Sequence, residues 1–290
     1  MYVIGISVVR DEVDVIEASV RHALRVLCDR VLVLDNGSAD GTWEVLTRLA
    51  RTLPLKAIRD DGPFDQSSMM TGLLHEASTA QVAWVVPFDA DEFWWSPGSS
   101  PRAALDAVPE HVGVLTCPVK NFVARRSERE LSPTSLLSMG YRALGAWADR
   151  TDVIDGQAGF VELRYPPKVL LRPCLSATIG PGQHEVRGHG REGRSGEWLT
   201  CLHAPLRSFA HLQRRALLAE RHLDSARSGG PTGSWQFQMW ARLASEDKLD
   251  KEWERNSQIG GRLGRWSEPR LVRDRTLVKL VRRSLRHRGY

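Results

Sequence analysis

The densest chemistry in the sequence is Asp89-Ala90-Asp91-Glu92, three carboxylates in four residues, directly after the apolar run at 82–88 (VAWVVPF). Two more acidic groups stand behind other apolar runs. Arg10-Asp11-Glu12 follows Val3–Val9, and Asp35-Asn36 follows residues 31–34. In an open parallel sheet, ligands bind at the carboxyl ends of the strands. One crevice would therefore collect four or more carboxylates. Like charges gathered that way are costly unless a cation neutralises them. Hard oxygen ligands suit Mg²⁺ or Mn²⁺ holding a phosphate-bearing substrate. Any one of these acids alone would be an ordinary solvated turn residue. A DxDE behind a buried strand, with acids at two neighbouring strand ends, fits a metal and a phosphate better.

Those acids need strands to carry them. Val3–Val9 is β-branched, apolar and about the length of a buried strand. Ile16, Val20, Leu24 (or Ala23) and Leu27 then recur at helical spacing. Residues 31–34 predict a second strand. Asp40-Gly41-Thr42 opens a helix to about residue 53, with Val45, Leu46 and Leu49 inward. Residues 55–58 predict a third strand, 66–80 a helix and 82–88 a fourth strand. This alternation predicts a mostly parallel sheet covered by helices on both faces, an α/β fold. The second half is less regular. Strands are expected at 112–119, 168–172 and 198–202, and residues 125–155 are polar and poorly periodic. Residues 180–196 hold six glycines and read as a mobile loop. Helices are expected at 208–225 and, beyond the breaker Gly229-Gly230-Pro231, at 235–244. No internal repeat occurs.

The chain has 290 residues, 42% hydrophobic and 26% charged, which excludes collagen-like, disordered and disulfide-scaffold classes. No apolar run is long enough to span a bilayer. The opening MYVIGISVV lacks a basic region and a cleavage site, so no secretory signal is expected. Cys28, Cys117, Cys174 and Cys201 form no CxxC pair, which fits reduced thiols in a cytoplasmic setting. The net charge of +5 is uneven: residues 270–290 carry +7 and the rest −2. The basic character belongs to the tail, so no nucleic-acid partner is expected. As a helix, the tail gathers Arg275, Lys279, Arg282, Arg283 and Arg286 within an arc of about 100°. Leu277, Val278, Val281 and Leu285 fall opposite. Such a helix suits an anionic membrane surface, with peripheral attachment at its inner face, or an acidic partner. It equally suits a packed helix with a solvated basic face.

The same motifs carry a resemblance. Residues 33–42 (VLDNGSADGT) resemble the strand-two motif of glycosyltransferase family 2. Pro87-Phe88-Asp89-Ala90-Asp91-Glu92-Phe93 resembles that family's DxD element, and Ser7-Val8-Val9-Arg10-Asp11-Glu12 its first strand. More narrowly, the chain is similar to a bacterial subgroup with a DADEF-type motif and a later His-x-Pro-x-Arg-Ser, here His203-Ala204-Pro205-Leu206-Arg207-Ser208. The resemblance covers residues 1–125 firmly and 126–225 thinly. It implies a GT-A (Rossmann-like) domain over 1–225, with a nucleotide-sugar half at 1–125 and an acceptor half at 126–225. Residues 226–290 would be a C-terminal helical extension.

The implied activity is metal-dependent, inverting transfer of a hexosyl-type sugar from a UDP-, GDP- or dTDP-sugar to a hydroxyl acceptor, such as a glycan, glycolipid or secondary metabolite. By position, Glu12 and Asp35 would hold base and ribose. Asp89 and Asp91 would face ribose and Mn²⁺ or Mg²⁺, with Asp91 the stronger ligand, and Glu92 would support them or meet a sugar hydroxyl. Inversion needs a general base for the acceptor hydroxyl. The family's Glu-Asp pair is missing at its expected place. His184-Glu185 stands there, which makes Glu185 the base candidate, with Asp152 and Asp155 as alternatives; Glu246-Asp247, in a polar helical stretch, reads as a solvated face. His203 is a candidate third metal ligand and His184 a pocket residue, although each is also readable as a hydrogen-bonded structural histidine. Arg207, at the start of a helix, suits phosphate. Lys168 reads as a phosphate contact or, slightly preferred, a strand-edge charge. Trp94 and Trp95 could line a sugar site or fill core. Two other functions compete: a haloacid-dehalogenase-type phosphatase with Asp89 as nucleophile, and a non-catalytic sugar-binding or membrane-partner module.

Overall fold

Seven consecutive fully buried residues make Val3–Val9 (β1) an interior strand. In the computed structural model the chain continues as α1 (Ile16–Val26), β2 (Arg30–Asp35), α2 (Thr42–Ala50), β3 (Leu55–Arg59), α3 (Gln66–Ala77) and β4 (Trp84–Pro87). Then come β5 (Glu92–Trp95), α4 (Pro101–Asp106), β6 (Val112–Cys117), β7 (Val119–Val123), β8 (Tyr141–Ala143) and α5 (Arg150–Ile154). After β9 (Lys168–Leu171) follow β10 (Thr178–Ile179), β11 (Val186–Arg187), β12 (Glu192–Ser195) and β13 (Thr200–His203). The remainder is α6 (Phe209–Arg227), α7 (Trp235–Ser245), α8 (Leu249–Asn256), β14 (Gln258–Ile259), β15 (Arg262–Leu263), β16 (Leu271–Arg273) and α9 (Thr276–Arg286). The structure describes residues 1–79, 81–144, 147–196, 198–227, 235–264 and 270–286. The expected breaker at 229–231 lies outside them. No helix among the described residues is long and apolar enough to cross a membrane.

The chain forms two units that interleave along the sequence. One holds Met1–Lys120, Tyr165–His203 and Lys279–Tyr290; the other holds Asn121–Arg164 and Ala204–Val278. These boundaries differ from a sequential division at residues 125 and 225, because β9 returns between β4 and β6, β12 beside β6 and β13 beside β5.

The first unit is built on a seven-stranded sheet of order β12-β6-β9-β4-β1-β2-β3. β1 to β4 are parallel to one another, as the strand–helix alternation predicts. The order reverses beside β1, with β2 on one side and β4 on the other, which makes this the sheet's topological switch point. β1 is tightly packed: a Cβ on Gly5 would lie 3.0 Å from Cys28 Sγ and 3.1 Å from the Phe88 ring. β9 enters antiparallel between β4 and β6, and its four residues are all buried. Lys168 therefore stands on an interior strand, not at an edge.

Other differences have local causes. Pro118 supplies no N–H to a ladder, so the single strand expected at 112–119 divides into β6 and β7. Residues 92–95 were not expected as a strand. They form β5, pairing antiparallel with β13 through His203↔Glu92 and Cys201↔Trp94. The glycine-rich stretch is more ordered than a loop: β10 pairs with β11, and β12 pairs parallel with β6.

In the second unit, β7, β8 and β16 pair antiparallel through Phe122↔Arg142 and Leu271↔Ala143. Val123, Val161, Leu263 and Leu271 pack there with Tyr141. Glu162 accepts from Gly159 N–H, Trp147 Nε1–H and Arg270, at 2.9, 3.0 and 3.1 Å. The tail is helical as expected. In α9, Leu277, Val278 and Val281 are buried while Lys279, Arg282, Arg283 and Arg286 are exposed.

α1 buries His22 with Nε2 2.8 Å from Trp94 O and the ring 5.3 Å from that of Phe93. Burial lowers its pKa to about 4. A histidine depressed below its unfolded value of about 6.5 stays neutral in the folded state. The unfolded chain then binds more protons between the two values, so stability falls as pH drops from about 6.5 to about 4. His22→Gln keeps a donor for Trp94 O but cannot titrate. Urea unfolding should show the wild type losing more stability than His22→Gln across that window; identical slopes would refute the assignment.

Candidate active site

Parallel pairing brings the ends of β1, β2 and β4 to one edge of the sheet, and the acidic groups diverge from there. Those after β1 and β2 mostly tie the two turns together. Asp11, with left-handed φ of 56°, donates its N–H to Ser38 Oγ and accepts Ala39 N–H through its carboxylate. Asp40 accepts from Val13 N–H, Thr42 N–H and Thr42 Oγ1–H. Glu12 is half-buried, its N–H donated to Thr42 Oγ1. Asp35 is fully buried; Oδ1 accepts Ser38 N–H, and Oδ2 has no hydrogen-bond partner among the described residues.

The turn after β4 is organised around Lys168. Its Nζ donates to Asp89 Oδ2 at 2.8 Å, Gly182 O at 2.7 Å and Gln183 Oε1 at 3.1 Å. Those bonds spend all three ammonium protons, so this group is not placed to receive phosphate. Glu92 Oε1 lies 2.7 Å from the same nitrogen, as an ion pair outside hydrogen-bond alignment. Burial works against the Lys168 charge, but Asp89 and Glu92 outweigh it and hold its pKa above the usual lysine value. Burial pushes Glu92 up to about 7, although Lys168 pulls the other way. Glu92 Oε2 accepts Asp89 N–H at 3.1 Å, which closes the turn on itself.

Asp89 Oδ1 accepts from Gln183 Nε2 at 3.0 Å and Gln66 Nε2 at 3.2 Å. Gln66 in turn accepts Gly182 N–H. Gln183 is fully buried with φ of 54°, a strained conformation held by its contacts on Lys168 and Asp89. Neither glutamine stood out in the sequence. Gln66 opens a helix and Gln183 lies among glycines, and only the tertiary contacts reveal them.

Asp91 points elsewhere. Its Oδ2 is 3.6 Å from His203 Nε2, and both side chains are nearly buried. Tyr165 meets the His203 ring edge-on at 4.8 Å. Strand alternation puts Glu92 and Trp94 on one face of β5, with His203 and Cys201 opposite them on β13. Trp94 is wholly buried; Trp95 faces the other way, under Lys120 at 5.5 Å. His184 Nδ1 lies 3.2 Å from Pro167 O. Burial, then Lys168, lowers its pKa to about 4, so its imidazole is neutral at pH 7.

Asp89, Asp91, Glu92, Lys168, His184 and His203 thus share one electrostatic neighbourhood. Glu185 is exposed and paired with Arg187 at 2.7 Å. Arg207 is fully buried in the second unit, where Ser208 Oγ caps α6 by accepting His211 N–H. Asp89, Asp91 and His203 do not form a three-ligand cage, and no group of three such side chains does so among the described residues. What exists is a two-donor pair, Asp91 with His203. That fits a cation which takes one or two protein groups and completes its shell with phosphate and water.

No family model and no curated protein matches the chain. Among solved structures it is similar to the mannosyltransferase PcManGT from Pyrobaculum calidifontis in complex with GDP-Man and Mn²⁺. The identity is 19%, over 86% of this chain and 72% of that one, with a TM-score of 0.42. It is also similar to S. aureus TarS 1–349 in complex with UDP (14% identity, 88% and 90%, TM-score 0.39). For S. aureus TarS the figures are 13% identity and TM-score 0.39, over 76% of this chain but only 40% of that one.

Lys168→Met should strand the buried Glu92 and the half-buried Asp89 and cost about 3–5 kcal/mol of folding stability. Urea denaturation checks this; a loss under about 1 kcal/mol would mean that Lys168 does not hold the turn together.

Proposed function

We propose that the chain is a metal-assisted glycosyltransferase that moves a sugar from a nucleoside-diphosphate sugar to a hydroxyl acceptor with inversion. The observation that supports this is the division of charge in the 89–92 turn at the switch point. Lys168 holds Asp89 and Glu92, which leaves Asp91 beside His203 to face a cation. Asp91 and His203 would hold Mn²⁺ or Mg²⁺, which supplies charge stabilisation for the departing diphosphate. Asp35, with one buried oxygen unpartnered, would accept a hydrogen bond from the base or ribose, and Glu12 flanks it across the paired turns. Glu92 is locked under Asp89 and acts by shaping the turn.

The acceptor's proton is assigned to His184 in place of Glu185. A donated Nδ1–H to Pro167 O leaves Nε2 as the unprotonated, accepting nitrogen. Glu185 is held by Arg187 at the surface. A phosphatase mechanism through Asp89 is disfavoured, because both its oxygens are engaged by Lys168, Gln66 and Gln183.

Titration calorimetry should show UDP or GDP binding that strengthens with Mn²⁺. Asp91→Ala should abolish the Mn²⁺ effect and lower turnover by about 10²–10³-fold while the protein stays folded. No nucleotide binding at all would instead favour a non-catalytic module. For the base, His184→Gln should lower turnover by about 10²–10⁴-fold and Glu185→Gln very little; the reverse pattern would return the role to Glu185.

A further inference from the structure

A second concavity, wholly within the Asn121–Arg164 and Ala204–Val278 unit, has no part in the proposed transfer. It measures about 220 Å³ and is lined by Arg125, Arg273, Arg275, Tyr141, Ser138 and Gly140, among others. Strand register explains the convergence. Tyr141 pairs with Val123 on one side and with Arg273 on the other. Residues directly opposite share a face, and so do residues two apart along a strand. Arg125 lies two residues past the end of β7 and Arg275 two past the end of β16, and both line the same cavity as Arg273 and Tyr141. The Arg275 stem runs 4.0 Å from where a Cβ on Gly140 would stand, so a glycine there leaves room for it.

None of the three arginines has an ion-pair partner among the described residues. The nearby carboxylate in sequence, Asp274, is already spent on Arg142 Nε and Thr276 N–H, each within 3.0 Å. Val278, in the first turn of α9, also lines the cavity, which brings the positive end of that helix's dipole near it. Clustered cations without counter-charges repel one another, and forked guanidiniums match phosphoryl oxygens. At about 220 Å³ the cavity has room for a phosphoryl group with a small polyol.

The geometry points to a binding site for a small phosphate monoester in this unit, held by Arg125, Arg273 and Arg275. Its ligand is independent of the nucleotide assigned above. The test uses the full chain at constant ionic strength set by NaCl. Calorimetry with inorganic phosphate, glycerol 3-phosphate and glycerol should give saturable binding of the first two, tighter for the monoester, and none of glycerol. Arg273→Gln should weaken it by about tenfold or more, the worth of a charge-assisted hydrogen bond. In the wild type, glycerol 3-phosphate should protect Arg125, Arg273 and Arg275 from phenylglyoxal, read by mass spectrometry; this arm needs no variant to fold. Absence of binding, binding unchanged in Arg273→Gln, or protection of other arginines only would each overturn the site. Binding to phosphatidic-acid vesicles without binding of glycerol 3-phosphate would overturn its small-molecule ligand.

Discussion

One buried ammonium organises the first unit. Lys168 spends its three protons on a carboxylate, a backbone carbonyl and a side-chain amide, and a second carboxylate sits against it. Desolvation opposes every charge in this cluster, so the members hold their ionisation by mutual contact. The consequence is a sorting of acids. Asp89 and Glu92 are committed to the protein's own cation, and Asp91 is turned towards His203. Of the three carboxylates in the turn, two are thus held by Lys168 and one lies beside His203. The residues that complete the cluster come from β9 and the 181–183 turn, and that turn pays with a left-handed, fully buried Gln183.

The β1 and β2 ends solve a different problem. Their turns must stand side by side at a switch point, where no helix covers the backbone N–H groups. Asp11 and Asp40 satisfy those groups across the gap, and Ser38 and Thr42 accept in return. Asp35 is the exception, since it is as buried as its neighbours yet keeps one oxygen unsatisfied. A buried unpaired oxygen is costly.

The basic tail resolves into separate fates. Arg270 pairs with the buried Glu162, Arg273 and Arg275 line the cavity beside Tyr141, and Lys279, Arg282, Arg283 and Arg286 stay exposed on α9. The apolar stripe of α9 is buried at Leu277, Val278 and Val281, as the reading of a packed helix with a solvated basic face expects. Composition treats these cations as a single charge of +7, whereas their surroundings give them three different kinds of contact.

Local pattern was enough to read β1 to β4, α1 to α3 and the positions of the acidic turns, because burial on both faces leaves an unbroken apolar run and polar residues mark where it stops. It was enough for the helix and facing of α9 as well. It was not enough for β5, whose bulky aromatics fit a sugar site and a core equally well, or for the antiparallel entry of β9, which no short-range signal encodes. Nor could it assign each acid its counter-charge. Lys168 lies 79 residues from Asp89, and their contact exists only because β9 is inserted beside β4. Residue type and spacing determined which groups sit at the sheet's edge; strand order decided which charges meet there, since Coulomb attraction and desolvation depend on distance in space and not along the chain.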